Sequence, residues 1–215
     1  NNNMKHIRDQ FPIFKKMLPN GKPLVYFDSA NSSQKPQRVI DRLTKFYAEE
    51  YSSVGRSIHQ LSINATECLE QSRLAVAKFL NAGSEEEIIF TKSATEAINS
   101  IAESFGRTQK KSYEIICTEL EHHSNYLPWH LQRLQGKASI KFIPLKDDYS
   151  LDIDKLEELI TKKTKIIAVT QLSNVTGEIV DVKKVCEIAH KKGIAVFVDG
   201  TQAAPHMKVD VQDID

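Results

Sequence analysis

The spacing of apolar residues changes near residue 87, and each half of the chain predicts a different kind of structure. Before this point, apolar residues recur every three or four positions, which is typical of helices with one buried face. A helix is predicted from Pro36 and a longer one over about 60–81, and the apolar run 24–27 predicts a short strand. The inward positions are Val39, Ile40, Leu43, Tyr47 and Tyr51 in the first helix, and Ala65, Leu69, Leu74, Ala77 and Leu80 in the second.

After residue 87, short apolar runs alternate regularly with amphipathic segments. The predicted strands are 88–90, 114–117, 140–143, 165–169 and 194–198, and the predicted helices are 95–105, 126–134, 153–160 and 182–192. This alternation predicts an α/β fold with a mainly parallel, mixed sheet and helices on both faces. Ligand sites in such sheets lie beyond the carboxyl ends of the strands. The loops that follow the strands therefore hold the candidate chemistry.

The composition argues against a protein that binds nucleic acid or a membrane surface and against one that spans a membrane. The chain has 215 residues, of which 40% are hydrophobic and 27% charged, with a net charge of +1. This balance gives no electrostatic reason to expect nucleic acid or a membrane surface as a partner. No apolar run approaches the roughly 20 residues of a membrane span.

The cysteines and the N-terminus carry little chemistry. Cys68, Cys117 and Cys186 are far apart, so we expect small buried hydrophobes rather than a disulfide or a zinc site, in a reducing, cytoplasmic compartment. Residues 1–20 are predicted to be an N-terminal segment, and 1–3, which precede the first methionine, are interpreted as an expression remnant.

The loop ahead of the predicted helix at 95 offers an anion site. Backbone N–H groups at a helix start bind anions, and the hydroxyls of Ser93 and Thr95 add donors. Ser93 and Glu96 also fit a helix-capping box, and the two interpretations are compatible.

The next two loops carry side chains that suit a flat polar ligand. His122 and His123 are adjacent, and adjacent residues rarely converge on one ion, so no metal is expected. The His122 imidazole can stack on a ring or transfer a proton, and a surface histidine ahead of a helix is the open alternative. Asn174 offers a donor and an acceptor, or is simply a turn residue before Gly177.

The stretch FVDGTQAAPH places an acid, Asp199, at the end of an apolar strand. A buried ionised carboxylate needs a positive partner, which a protonated ring nitrogen would supply, with Gln202 reaching a second polar atom. A strand-end acid facing solvent is the alternative. Together the loops describe a flat, anionic, nitrogen-containing aromatic ligand such as pyridoxal phosphate (PLP).

Six stretches give the chain a family resemblance. They are FDSANSSQKP (27–36), RSIHQLS (56–62), FTKSATEAIN (90–99), LEHHSNYLPW (120–129), QLSNVTGE (171–178) and VDGTQAAPH (198–206). The chain resembles the class V aminotransferases, which are fold-type I PLP enzymes, and is most similar to Suf-type cysteine desulfurases and selenocysteine lyases. Residues 21–215 would then be a partial PLP-binding large domain.

The resemblance implies a role for each candidate residue. Asp199 would pair with the pyridine nitrogen, Gln202 would bind the ring hydroxyl, and His122 would stack on the ring and shuttle protons. The remaining positions would be Ala94 and Thr95 at the phosphate, Asn174 near the ring oxygen and substrate carboxylate, and Ala30, Asn31 and Arg56 on the substrate side.

The chain departs from the family pattern at three places. The family has Gly-Thr-Thr at 93–95, Ala at Asn31 and His-Arg-Gly at 55–57. The resemblance also places the Schiff-base lysine, the nucleophilic cysteine and the rest of the large and small domains beyond Asp215. Lys208, Cys117 and Cys186 do not substitute for them, so this chain alone is expected to be inactive.

The function expected from the resemblance is that of the N-terminal part of a cysteine desulfurase, which converts L-cysteine to L-alanine and passes on sulfur for Fe–S cluster assembly. A selenocysteine lyase, epimerase or transaminase is the alternative within the family, and a non-catalytic half-enzyme in assembly is the alternative outside it. A homodimer and a sulfur-acceptor protein are the expected partners.

Overall fold

The computed structural model of the protein describes the backbone of residues 2–214 and the side chains of residues 4–214. The interpretation of residues 1–3 as an expression remnant lies outside the described side chains. Contacts divide the chain into two compact units, 1–74 and 75–215. No helix of the described residues is both long and apolar enough to cross a membrane.

The first unit is helical and has little regular structure between its helices. Its elements are α1 (Asn2–Asp9), a 3₁₀ turn (Pro12–Lys15), α2 (Gln37–Lys45), a π-helical turn (Phe46–Glu50) and most of α3 (Gln60–Leu80). Pro36 is the N-cap of α2, next to the first helical turn where its fixed φ and missing N–H are tolerated.

Two predictions for the first unit are wrong. Residues 24–27 form no strand, because no neighbouring strand in the described chain pairs with them. The apolar stripe of the first helix is not buried, since Leu43 is 55% exposed and Tyr47 69% exposed. Helical periodicity shows which side chains share a face, but burial requires another element to cover that face.

The second unit alternates strands and helices as predicted. After the end of α3 and a 3₁₀ turn (Glu85–Glu87), its elements are α4 (Ala94–Thr108), β1 (Tyr113–Thr118), α5 (His123–Leu134), β2 (Ala138–Ile143), α6 (Leu156–Leu159) after a 3₁₀ turn (Ile153–Lys155), β3 (Thr164–Thr170), α7 (Val182–His190), β4 (Ala195–Asp199), α8 (Ala203–His206) and α9 (Val211–Ile214).

The strands form one parallel sheet in the order β2-β1-β3-β4. Side chains alternate between its faces. Ile115 and Cys117 pack with Trp129 of α5 on one face, whereas Ile116 packs with Val185 of α7 on the other. The prediction of a parallel α/β sheet with helices on both faces is confirmed.

The predicted strand at 88–90 is absent. Ile88 has extended backbone angles (φ −92°, ψ 116°), but Ile89 is 80% exposed and no strand of the described residues pairs with it. The local sequence favours an extended backbone, whereas a strand also requires a partner for its N–H and C=O groups.

The cysteines differ in burial. Cys117 and Cys186 are buried, as predicted, but Cys68 is half-buried, with its sulfur 3.6 Å from Arg42 Nη2. Burial raises the pKa of the Cys117 thiol, and the charge of Glu121 adds to this effect. A thiol with a raised pKa is a poor nucleophile, so Cys117 is unsuited to accepting sulfur.

The packing of α4 on α5 leads to a prediction at Gly106. A Cβ added there would lie 2.8 Å from Cδ of Gln132, whose Nε2 donates to Ala102 O at 3.4 Å. In an ordinary helix, Gly→Ala stabilises by about 1 kcal/mol. Here we expect Gly106→Ala to destabilise by about 1–2 kcal/mol, since Gln132 must move. In a Gln132→Ala background the same change is expected to stabilise. Urea denaturation of the wild type, the two single variants and the double variant measures the effect of Gly106→Ala in both backgrounds. Stabilisation by Gly106→Ala in the wild-type background would contradict the packing argument.

Candidate active site

The candidate residues of the second unit lie at one edge of the sheet. Strands β1, β3 and β4 are parallel, so their carboxyl ends meet at the same edge. The turn after β1 carries His122, the loop after β3 carries Asn174, and Asp199 is the last residue of β4. The topology therefore gathers three of the sequence-predicted loops, as expected for a ligand site of a parallel sheet.

The start of α4 combines a helix N-terminus with a side-chain cap. Ser93 Oγ accepts from the backbone N–H of Glu96 at 3.2 Å, as predicted for a capping box. Glu96 Oε2, however, accepts from Lys92 N at 2.6 Å, one residue before the cap. Ala94 and Thr95 form the first turn of α4, where backbone N–H groups lack intrahelical acceptors and favour an anion.

His122 is the N-cap residue of α5. Its Nδ1 accepts from the backbone N–H of Ser124 at 3.1 Å, which is unusual for a cap residue because the acceptor is an imidazole. A neutral ring that accepts at Nδ1 carries its proton on Nε2. The side chain is exposed, so the geometry agrees with the alternative of a histidine ahead of a helix while leaving the ring accessible to a ligand.

Ser124 connects the two helix starts, and the sequence analysis did not identify it. Its Oγ lies 2.9 Å from Thr95 Oγ1 and 3.1 Å from His122 Nδ1. The expected phosphate site and the expected ring-stacking residue are thus joined by hydroxyl contacts. The only sequence signal for this role is the position of Ser124 two residues after His122.

Asp199 ends β4 and is 8% exposed, which rules against the alternative of an acid facing solvent. Its Oδ1 accepts from the backbone N–H of Thr201 at 3.0 Å and from the Thr201 hydroxyl at 2.5 Å. Both donors are neutral, and they orient the carboxylate. Its Cα is paired in register with Thr170 of β3.

Asn174 and Gln202 lie in the loops beside these residues. Asn174 is exposed in the loop after β3, which Ser173 closes through its backbone N–H to Glu178 O at 2.9 Å. Gly177 in this loop has a φ of +75°, a conformation that glycine adopts readily. Gln202 is half-buried and is the N-cap residue of α8.

The predicted substrate-side residues belong to the first unit. Ala30 and Asn31 lie in a turn where the Asn31 side chain donates to Asp28 Oδ2 at 3.1 Å. Arg56 is exposed in the loop between the π-helical turn and α3. The roles assigned to these three residues stay predictions.

Glu121 is a half-buried acid of this edge that the sequence analysis did not single out. Its Oε1 accepts from Thr118 Oγ1 at 2.5 Å and from Thr170 N at 2.9 Å, and its Oε2 accepts from Asn125 Nδ2 at 2.6 Å. Burial raises the pKa of the Glu121 carboxyl to about 7, and the charge of Asp199 contributes to the increase. An acid beside two histidines resembles a surface residue in the sequence, so no local pattern reveals its burial.

Two further observations bear on the chemistry. Lys208 is 85% exposed, with its Nζ 3.9 Å from Asp210 Oδ2. The described residues contain no group of three or more His, Cys, Asp or Glu side chains arranged for a metal ion.

Comparison with known proteins identifies the fold and the family. The cysteine desulfurase CsdA of Escherichia coli superposes with a TM-score of 0.84 at 36% identity, over 98% of this chain and 52% of that one. The apo cysteine desulfurase of Thermococcus onnurineus superposes with a TM-score of 0.89 at 33% identity, over 98% of this chain and 50% of that one. The fold is therefore that of the fold-type I PLP-dependent enzymes.

The sequence matches the aminotransferase class-V family over residues 25–215, and the chain belongs to that family. A cysteine desulfurase of Pectobacterium atrosepticum is 44% identical over 213 residues, which are 99% of this chain and 52% of that protein. The chain thus spans about half the length of the curated relatives it matches. Membership of this family implies PLP as the cofactor.

Proposed function

We propose that this chain supplies the cofactor-holding part of a PLP-dependent cysteine desulfurase that releases sulfur from L-cysteine and leaves L-alanine. The observation that carries the proposal is Asp199, a buried carboxylate oriented by neutral donors at the carboxyl edge of a parallel sheet. The relatives named cysteine desulfurase support the choice of reaction.

The residues at the sheet edge fit PLP by their chemistry. Asp199 forms no ion pair with any described residue, and such a buried carboxylate suits a protonated pyridine nitrogen. The start of α4 suits a phosphate. When bound, PLP provides an electron sink for electrons released at the substrate Cα. Asp199 would hold the proton on the pyridine nitrogen, and Ala94 N–H and the Thr95 hydroxyl would hold the phosphate.

The other predicted residues complete the site. His122 would cover one face of the ring and present Nε2–H, since Nδ1 is occupied by the Ser124 N–H. Gln202 and Asn174 would bind the ring hydroxyl and the substrate carboxylate. Ala30, Asn31 and Arg56 would lie on the substrate side. A homodimer and a sulfur-acceptor protein, serving Fe–S cluster assembly, complete the proposal.

Residues 1–215 alone are proposed to bind PLP without a covalent link and without turning over cysteine. Titration with PLP is expected to give saturable absorbance and fluorescence changes. Borohydride reduction followed by peptide mass mapping should then find no pyridoxyl group on any lysine, and incubation with L-cysteine should yield no alanine. A pyridoxyl-lysine together with alanine production would refute this part of the proposal.

The reaction itself is tested by fusing residues 1–215 to the part of the Pectobacterium atrosepticum desulfurase that this chain does not match. The fusion is expected to produce alanine from L-cysteine when PLP is present, and to release sulfide when a thiol reductant is added to reduce the enzyme persulfide. If the fusion prefers selenocysteine, the proposed substrate is wrong and the proposed class of enzyme is kept. If the fusion binds no PLP, the proposed function is wrong.

A further inference from the structure

Glu121 joins three elements of the fold at the cofactor edge. Thr118 is the last residue of β1, Thr170 is the last residue of β3, and Asn125 lies in the first turn of α5. Each donates one hydrogen bond to the Glu121 carboxyl group. The side chain therefore fixes the turn after β1 to the neighbouring strand and to the helix that follows.

The same contacts surround His122. Asn125 donates its backbone N–H to His122 O at 2.8 Å and its side-chain amide to Glu121. Its other amide atom, Oδ1, accepts from the fully buried Trp129 indole at 3.3 Å. Both atoms of the Asn125 side-chain amide are therefore hydrogen-bonded. Through Asn125, the position of Glu121 affects the position of His122, the N-cap of α5.

Glu121 also approaches the Asp199 side of the site. Glu121 accepts a hydrogen bond from the backbone N–H of Thr170, and Thr170 is paired in register with Asp199 of β4. The three donors to Glu121 are neutral, so its charge is not compensated in the way a buried ion pair would be. The titratable groups around it are Cys117 on β1, Asp199 on β4, and Glu119 and Tyr126, which line a cavity of about 300 Å³ with it.

We propose that Glu121 is a positioning residue of the PLP site, which sets His122 relative to Asp199 by tying the His122 turn to the ends of β1 and β3. The inference rests on the proposed function for its meaning in catalysis, although the positioning itself can be measured without cofactor. Glu121 touches neither the expected ring nor the expected phosphate through any contact shown by the structure, so its effect passes through Thr170 and Asn125.

A matched control lies at the opposite end of β1. Glu114 is buried, its Oε1 accepts from Thr164 Oγ1 at 2.7 Å and from Thr161 Oγ1 at 3.1 Å, and its Oε2 forms an ion pair with Lys141 Nζ at 3.1 Å. Because β1 is extended, Glu114 is at the edge remote from His122 and Asp199. Substitutions of Glu114 therefore remove a carboxylate that joins two threonine hydroxyls and Lys141, without reaching the cofactor edge.

The first measurement uses the 215-residue chain without PLP. The ¹⁵N signals of the His122 ring report the tautomer, and they are assigned by comparison with His122→Asn. In the wild type, Nδ1 is expected to be the acceptor and Nε2 to carry the proton. In Glu121→Ala, the signals are expected to move toward the average of the two tautomers, because the turn is released. Glu121→Gln keeps two of the three acceptor contacts and should restore the wild-type pattern in part.

The second measurement follows pH. The pKa of Glu121 is raised from 4.5 to about 7 in the folded state, so between these two pH values the folded protein holds a proton that the unfolded chain has lost. The contribution of Glu121 to the free energy of unfolding is therefore fully present below about pH 4.5 and is lost as pH rises through about 7. The backbone amide signal of Thr170 should show an inflection near pH 7 in the wild type and in Glu114→Gln, but not in Glu121→Gln.

The third measurement is PLP affinity. Glu121→Ala is expected to raise the Kd for PLP about tenfold, which corresponds to the loss of one or two hydrogen bonds that order the site. Glu114→Ala is expected to change the Kd for PLP less than about twofold. If neither the wild type nor the Glu114 variants bind PLP, the proposed function fails while the NMR measurements still decide the role of Glu121.

Two results would overturn the proposal. One is a His122 tautomer and a Thr170 titration that are unchanged in both Glu121 variants. The other is an equal change in the Glu121 and Glu114 variants, which would reduce Glu121 to a general stabilising residue. Glu121→Gln keeps the test available if Glu121→Ala does not fold.

Discussion

Asp199→Asn is expected to weaken PLP binding by at least about thirtyfold. The asparagine keeps a carbonyl oxygen for the two Thr201 donors, so the local backbone is retained. What it loses is the negative charge, and truncating one partner of a buried charge pair costs about 2–5 kcal/mol, of which 2 kcal/mol corresponds to the stated factor. Fluorescence titration of the chain with PLP measures the change.

Asp181→Asn is the matched control for this prediction. Asp181 also accepts a backbone hydrogen bond, from Lys184 N at 3.0 Å, as the exposed N-cap of α7, and it is not among the residues expected to contact PLP. Asparagine is as good an N-cap as aspartate, so the PLP affinity should stay at the wild-type value. An Asp199→Asn protein that binds PLP within threefold of the wild type would remove Asp199 from the pyridine nitrogen.

Trp129→Ala is expected to give the largest loss of stability, about 3–5 kcal/mol. The side chain is fully buried, and its ring centroid lies 6.4 Å from that of Phe105 in α4 and 6.2 Å from that of Phe197 in β4. It also donates to Asn125 at 3.3 Å. The substitution leaves a cavity between the helices and the sheet and an acceptor that has lost its donor.

Thermal denaturation checks the Trp129 prediction, with an expected fall in Tm of about 6–20 °C for a chain of this size. Leu131→Ala in the same helix is the control, because Leu131 is 49% exposed and should change the free energy of unfolding by less than about 1 kcal/mol. Equal effects of the two substitutions would contradict the assignment of Trp129 to the core.

The elements of the second unit could be predicted because their signals are local. The predicted strand 114–117 is observed as Tyr113–Thr118, and the predicted strand 165–169 as Thr164–Thr170. A run of β-branched residues between helical segments is enough to identify a buried parallel strand. The run at 88–90 has the same local character but no pairing strand among the described residues, and pairing depends on residues distant in sequence.

Some residues of the candidate site could likewise be predicted from the sequence, whereas others could not. Asp199 was found because an acid directly after an apolar strand is conspicuous in the sequence, and the strand order then brings it to the ligand edge. Glu121 was missed because its hydrogen bond with the backbone N–H of Thr170 spans 49 positions. Ser124 was missed because its contact with Thr95 spans 29 positions.

The sequence by itself determined the alternation of strands and helices, the loops that carry polar side chains and the resemblance to a PLP enzyme family. These features depend on neighbouring residues, and local periodicity records them. Only the tertiary structure decided which acids are buried, which helix starts are joined by hydroxyl contacts and which apolar face of the first unit stays uncovered. Burial and hydrogen bonding of this kind arise where segments far apart in sequence meet, and no local pattern specifies that meeting.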